Sequence, residues 1–148
     1  MTSSDVPDVP ADARSGIAES WDPRQYQRFA AERAQPFHDL LAMIESIGST
    51  RRTIERAVDL GCGPGELTAL AADRLAIGEI TGVDNSPSML AAASDHAREG
   101  VRFEAGDLAT WTSASDHDLV LAAASLQWVP DHAGVIARWT HALRPGGR

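Results

Sequence analysis

Three glycines and one acid some distance beyond them are where this chain could do chemistry. Gly61, Gly63 and Gly65 alternate with Cys62 and Pro64, and Asp84 follows them by roughly twenty residues, the offset at which an acid at a strand end receives a ribose hydroxyl. A carboxylate can accept from both ribose hydroxyls, each charge-assisted bond contributing on the order of 1.5–3 kcal/mol. Glycines let the backbone turn sharply and let a ligand approach without meeting a Cβ. Pro64 stands where a helix can start without losing a needed N–H, and the amides at such an end attract polar or anionic groups. The spacing is not G-x-G-x-x-G, the pattern of dinucleotide folds. Glu66 follows the third glycine. An acid there repels a pyrophosphate but tolerates a zwitterion and a neutral ribose. Cys62 has no histidine near it in sequence, so it reads as small filler between glycines and not as a nucleophile.

The elements that must position these residues follow from the apolar pattern. Ala57, Val58 and Leu60 surround Asp59 as a buried strand entering the turn. Leu67, Leu70, Ala71 and Leu75 predict a helix that closes before Gly78. Ile80 to Asp84 reads as a second strand, and Ser86-Pro87 supply a cap and first position for a helix running to about Arg98, with Met89, Leu90 and Ala93 inward. Val101 to Ala105 alternates as a third strand at a sheet edge. Leu119 to Ala124 is a continuous apolar strand for the sheet centre. If it lies beside the first strand, the ligand crevice falls between Gly61–Gly65 and Ala123–Trp128, outside the carboxyl ends of the strands. Asp131 caps a last helix with Val135, Ile136, Trp139 and Leu143 inward, and Arg144-Pro145-Gly146-Gly147 makes a stop and a turn. Before the first strand, Asp22-Pro23 opens one helix, and Pro36 to about Ile47 forms another, with Leu40, Leu41, Ile44 and Ile47 toward the sheet. Residues 1–20, rich in Ser, Asp, Pro and Ala, are expected to be a disordered tail.

Composition bounds the function. At 148 residues, 43% of them hydrophobic, the chain can build one domain with a real core. Its formal charge of −8, with every cation an arginine, offers no basic stripe for nucleic acid. No apolar run approaches membrane-spanning length and no secretory signal is recognisable. The single cysteine, Cys62, forms no internal disulfide and fits a reducing cytoplasm. The expectation is an α/β fold, a doubly wound and mostly parallel sheet. The fourth strand would be an unpaired apolar edge unless a fifth followed, so 21–148 is expected to be the amino-terminal part of a longer domain, truncated before the fifth strand.

The run Asp59-Leu60-Gly61-Cys62-Gly63-Pro64-Gly65, with Asp84 and Asp107 downstream, resembles class I S-adenosylmethionine-dependent methyltransferases. Two local signatures, Trp21-Asp22-Pro23 with Tyr26, Phe29 and Arg33, and Ala124 through His132, are similar to the trans-aconitate 2-methyltransferases. The resemblance implies a Rossmann-like sheet with helices on both faces. It implies transfer of a methyl group from S-adenosylmethionine to a carboxylate of a small polycarboxylic acid, giving a monomethyl ester. It places Asp59, Gly61, Gly63, Asp84, Asn85, Asp107, Leu108 and Ala124 at the cofactor, with Asp107 accepting the adenine amino group and the Leu108 amide serving the ring. Arg33, whose guanidinium matches a carboxylate bidentately, is assigned the carboxylate of the cofactor's methionine part. Trp21, Tyr26, Gln127 and Trp128 are assigned to the acceptor, with Arg24 and His132 as further donors. Ala123 stands where relatives often carry asparagine. No catalytic side chain and no metal are implied, because the acceptor carboxylate is already ionised near neutral pH. The expected partner is a small carboxylic acid, the expected state a monomer, with no nucleic acid and no membrane.

Three other readings compete. A malonyl-carrier-protein methyltransferase has a similar loop after its fourth strand, but an acidic carrier would favour a basic cleft. A nicotinamide-dependent oxidoreductase follows from the glycine turn alone, and Glu66 with the shortened spacing counts against it. The third reading is an inactive cofactor-binding fragment.

Overall fold

The computed structural model describes residues 30–47 and 53–148. Helix α1 (Ala30–Ile47) precedes β1 (Arg56–Leu60), α2 (Glu66–Arg74), β2 (Glu79–Asp84), α3 (Pro87–Ala93), β3 (Val101–Ala105), β4 (Leu119–Leu121) and α4 (His132–His141). Expectations for the tail, the helix opened by Asp22, Trp21, Arg24 and Tyr26 lie outside the described residues. No described helix is long and apolar enough to cross a membrane.

The four strands form one parallel sheet in the order β3-β2-β1-β4. The chain winds outward from β1 through β2 to β3 and then returns to the other side of β1. Strand order therefore reverses between β1 and β4, where open α/β sheets bind ligands. The period-2 alternation of β1 divides its residues between two cores. Ala57 joins Phe37, Leu41 and Ile44 of α1, Ala71 and Ala72 of α2, and Ile80, Leu119 and Leu121. Val58 and Leu60 join Val83, Leu108, Val129, Val135 and Trp139 on the other face, under α4.

Several elements differ from the sequence reading. α1 begins at Ala30 and runs through Pro36; the proline removes one helical bond, and the apolar face Phe37, Leu41 and Ile44, buried on the sheet, holds the helix across it. α2 starts at Glu66 with Gly65 as its N-cap, so Pro64 lies in the turn and does not open the helix. Its buried face is Thr68, Ala69, Ala71 and Ala72, with Leu67, Leu70 and Leu75 only half-buried, because small residues let the helix lie close to the strands. α3 stops at Ala93 and continues as a single 3-10 turn, Ser94–His96, since Ala97 is extended and Arg98 pairs back onto Val101. β4 is three residues long, not six. Ala124, three residues beyond the end of the strand, adopts φ +54°. Ile136 is 44% exposed, and Leu143 lies beyond α4, bridged to His117. His117 is buried with its ring edge-on to Trp111.

Asp118 fastens the amino ends of the central strands. Its Oδ2 accepts from the amides of Glu55 (2.8 Å) and Arg56 (3.1 Å), and Oδ1 pairs with the Arg144 guanidinium. On the outer side of β4, Arg148 donates to the Asp118 carbonyl (2.8 Å) and accepts from the Val120 amide (2.9 Å).

Candidate functional site

The glycine turn is held by the end of β2. The Gly61 and Cys62 amides both donate to the Val83 carbonyl, at 2.8 and 3.1 Å. Gly61 has φ +84°, and a Cβ there would lie 2.4 Å from Ser125 Cβ. Gly65 has φ +81°, and a Cβ would meet the Phe103 ring at 2.7 Å. Both positions thus require glycine twice over, for conformation and for space. Gly63 also has positive φ, +56°, and turns its amide toward β2.

That amide meets Asp84. The carboxylate accepts from Gly63 N through Oδ2 and from Ser86 N through Oδ1, each at 2.9 Å. A carboxylate oxygen has two lone-pair sites, so one amide on each fixes the group and leaves acceptor capacity on both oxygens for a pair of hydroxyls. Asn85, next along, is exposed. Ser86 caps α3, its Oγ accepting from Met89 N at 3.4 Å, and Pro87 is the first helical residue.

Beyond β3, Asp107 folds the chain into a tight turn. Its Oδ1 accepts from Ala109 N at 2.8 Å, and its carbonyl from the amides of Thr110 and Trp111. The side chain is otherwise exposed. Leu108 is buried against the α4 core; its carbonyl accepts from Trp139 Nε1 at 3.2 Å, and Arg138 holds the Ala109 carbonyl. Among the described residues the Leu108 amide has no acceptor. Trp139 and Arg138 thus brace a turn that presents one carboxylate and one bare N–H side by side, a complement to an amino group and a ring nitrogen.

Beyond β4, Ser125 is buried and donates to the Leu60 carbonyl at 2.8 Å, drawing the loop onto the end of β1. The left-handed backbone of Ala124, which costs about 1–2 kcal/mol for a non-glycine residue, is fixed between that bond and the Gln127 side-chain amide, which donates to the Ala124 carbonyl at 2.8 Å. Gln127 and Trp128 lie on a single 3-10 turn, Leu126–Trp128, and Trp128 is 60% exposed.

Asp59 sits beneath the turn, 3% exposed. Thr68 Oγ1 donates to its Oδ2 at 2.5 Å. Burial pushes the carboxyl up to about 6; the Thr68 bond opposes this and the negative Asp84 adds to it. Burial likewise pushes the Cys62 thiol far up, with Asp59 and Asp84 adding to it, so Cys62 is held as a thiol and serves as filler.

The structure therefore brings Gly61, Gly63, Asp84, Asn85, Asp107, Leu108, Ala124, Gln127 and Trp128 to the carboxyl ends of the strands, with Asp59 below. Arg33 falls on α1, and its side chain lies outside the described residues. Sequence reasoning missed Thr68 and Ser125. Ser125 lies within the Ala124–His132 signature, but the signature gave it no role, and Thr68 lies in no motif; each acts by reaching across to a different element. Asp59, Asp84 and Asp107 make the site acidic, which suits cationic centres and neutral hydroxyls and disfavours a pyrophosphate.

Residues 57–147 match the family described as methyltransferase domain. The trans-aconitate 2-methyltransferase of Streptomyces avermitilis is 49% identical over 133 residues, covering 86% of this chain and 48% of that protein. The chain spans about half the length of the curated relatives it matches. Among solved structures, a SAM-dependent methyltransferase from Geobacter sulfurreducens in complex with S-adenosyl-L-homocysteine is 27% identical with a TM-score of 0.62, covering 76% of this chain and 45% of that one. A putative S-adenosyl-L-methionine-dependent methyltransferase from Methanococcus maripaludis, 17% identical, shares the fold with a TM-score of 0.70 over 99% of this chain and 64% of its own.

Proposed function

The chain belongs to the methyltransferase-domain family, and from that premise we propose that the protein transfers a methyl group from S-adenosylmethionine to a carboxylate of a small polycarboxylic acid, trans-aconitate, giving the monomethyl ester. The observation that carries this reading is Asp84. It is pinned by two amides at the end of β2 and faces a glycine turn that no other residue type could form. The likeness to the Streptomyces avermitilis enzyme supports the acceptor.

The residues fit the cofactor. Asp84 retains lone pairs for the two ribose hydroxyls. Asp107 and the bare Leu108 amide would take the adenine edge, Gly61 and Gly63 let the nucleoside approach, and Asn85 and Ala124 border it. Arg33 would hold the methionine carboxylate. The cofactor supplies a methyl group already activated on a sulfonium, so the protein need not generate a nucleophile. Bound there, the cofactor would supply that activated methyl group, and this chain's residues would hold the acceptor carboxylate in line with it. What the protein contributes is alignment, worth roughly 7–11 kcal/mol in well-oriented systems. Gln127 and Trp128, with Trp21 and Tyr26, would hold the acceptor beside Ala124. We place this activity in a cytoplasmic monomer acting on a diffusible acid.

The test is incubation of the full-length protein with S-adenosylmethionine and trans-aconitate, with the product weighed by mass spectrometry. A monomethyl ester formed in preference to esters of other di- and tricarboxylates is expected. Binding of S-adenosylhomocysteine without transfer to any polycarboxylate would remove the acceptor assignment; absence of binding would remove the cofactor assignment.

A further inference from the structure

Arg138 and Trp139, adjacent on α4, direct their polar groups at the turn that follows β3. Trp139, 5% exposed, donates its indole N–H to the Leu108 carbonyl at 3.2 Å. The Arg138 guanidinium donates to the Ala109 carbonyl. Each of these carbonyls belongs to a peptide unit whose N–H is also held, at its other end, by Asp107. The Leu108–Ala109 unit donates through Ala109 N to Asp107 Oδ1 at 2.8 Å. The Ala109–Thr110 unit donates through Thr110 N to the Asp107 carbonyl at 3.1 Å. Both units are thus pinned at both ends, and neither plane can turn without breaking a bond to α4 and a bond to Asp107.

One of these chains of bonds ends on a carboxylate. It runs from the indole N–H through the Leu108 carbonyl and the Ala109 N–H to Asp107 Oδ1. A donor at the carbonyl of an amide polarises its N–H, so bonds in series strengthen one another. The Asp107 carbonyl is taken by the amides of Thr110 and Trp111. Among the described residues the Leu108 N–H and Asp107 Oδ2 are left open. A donor beside an acceptor fits a ligand edge that carries an acceptor beside a donor. Adenine presents that pair, a bare ring nitrogen next to an amino group. Hypoxanthine presents the reverse, a protonated ring nitrogen next to a carbonyl, so that like groups would meet. Such discrimination depends on direction, because hydrogen bonds weaken steeply when misaligned.

We propose that Trp139 and Arg138 are positioning residues that set base selectivity: by fixing the two peptide units, they keep the Leu108 N–H and Asp107 Oδ2 in the relative orientation that accepts adenine and rejects hypoxanthine. The inference rests on the cofactor reading above and adds to it a control exerted from α4. Neither side chain is assigned a contact with the ligand; each acts through a peptide unit of the turn. Packing alone does not supply this, because the Trp139 ring fills the core with Val58, Leu60 and Val135, a role another aromatic ring can take, whereas the indole donor cannot be replaced by a hydrocarbon.

The test is titration calorimetry of the full-length protein with S-adenosylhomocysteine and with S-inosylhomocysteine, its hypoxanthine counterpart. Thermal melting shows which variants are folded. Wild type is expected to prefer the adenosyl ligand by about tenfold or more, the effect of one charge-assisted hydrogen bond. Trp139→Phe keeps an aromatic ring in the core and removes the donor. Arg138→Met keeps the stem of a half-buried side chain and removes the guanidinium. Each should lower the preference at least about threefold by weakening adenosyl binding, while inosyl binding stays within about twofold. A residue that merely stabilised the fold would weaken both ligands alike. Equal weakening of both ligands, or an unchanged preference, in either folded variant would overturn the proposal, and Arg138→Met carries the decision should Trp139→Phe not fold. Wild type that binds the two ligands equally would overturn it as well. No binding of S-adenosylhomocysteine by folded wild type would instead overturn the cofactor reading.

Discussion

Replacing Gly61 by alanine is predicted to cost the fold more than almost any other single methyl group in this protein. Gly61 has φ +84°, where a Cβ costs about 1–2 kcal/mol for conformation alone. The new Cβ would also stand 2.4 Å from Ser125 Cβ, so Ser125 must withdraw. Its bond to the Leu60 carbonyl is then lost, at about 1 kcal/mol net, and overpacking adds about 1–3 kcal/mol. The total, about 3–6 kcal/mol, is comparable to the whole stability of a marginal domain, about 5–15 kcal/mol. Urea unfolding followed by tryptophan fluorescence measures it, since Trp139 is buried. A second arm separates the two causes. Ser125→Gly removes the atom struck, so Gly61→Ala in that background should cost only the conformational share, about 1–2 kcal/mol. A Gly61→Ala variant within about 0.5 kcal/mol of wild type, or a double variant with no coupling between the sites, would refute the packing assigned to the turn.

Other perturbations test neighbouring parts of the account. Asp118→Ala removes a buried carboxylate bonded to two amides and to Arg144; because the Arg144 side chain keeps 26% exposure, a loss of about 2–4 kcal/mol in urea unfolding is expected, toward the lower end for a broken buried pair. Burial raises the Asp118 carboxyl, but Arg144 and the Arg56 and Glu55 amides outweigh it and hold it below the ordinary value of 3.8. Its stabilisation is therefore present above that value and fades as pH falls through the lower folded value; an Asp118→Asn variant should lack this acid-side loss. Asp59 has the opposite sign. Its folded value of about 6 lies above the ordinary 3.8, so its contribution is full below 3.8 and is lost as pH rises through about 6, a change of roughly 3 kcal/mol. Chemical denaturation of the ligand-free protein at pH 4, 5, 6 and 7 should show this in wild type and not in Asp59→Asn. Ala124→Gly relieves the left-handed strain and should stabilise the fold by about 0.5–1 kcal/mol, read as a raised urea midpoint; a lowered midpoint would contradict the strain assigned to that loop.

The parts legible in the sequence were those governed by local rules. The apolar period of β1 and β2, the Ser86-Pro87 cap and the glycine turn each follow from neighbouring residues, and each is observed. The sequence posed the pairing of β4 with β1 only as a condition, because no local rule fixes strand order; the structure shows that pairing, with β4 at the end of the sheet. What could not be read depends on contacts between distant segments. Nothing near Pro36 announces that Phe37, Leu41 and Ile44 bury deeply enough to carry α1 through a proline. Leu67, Leu70 and Leu75 drew attention away from the small residues that α2 actually buries, because apolar size is a poor guide where a helix must approach a sheet closely. The apolar run after Leu121 has the pattern of a strand, but Ser125 bonds to the Leu60 carbonyl on another strand and Ala124 leaves extended geometry. The burial of His117 could not be read locally, because it comes from Trp111 and the bridge to Leu143, neither adjacent in sequence.

The central claim is that the glycine turn and Asp84 form the cradle of an adenosyl cofactor. A crystal structure of the protein with S-adenosylhomocysteine tests it most directly. Both ribose hydroxyls should lie within about 3.2 Å of the Asp84 carboxylate oxygens, with the adenine against Asp107 and Leu108. Cofactor bound with its ribose turned away from Asp84, or lodged elsewhere on the protein, would contradict the account.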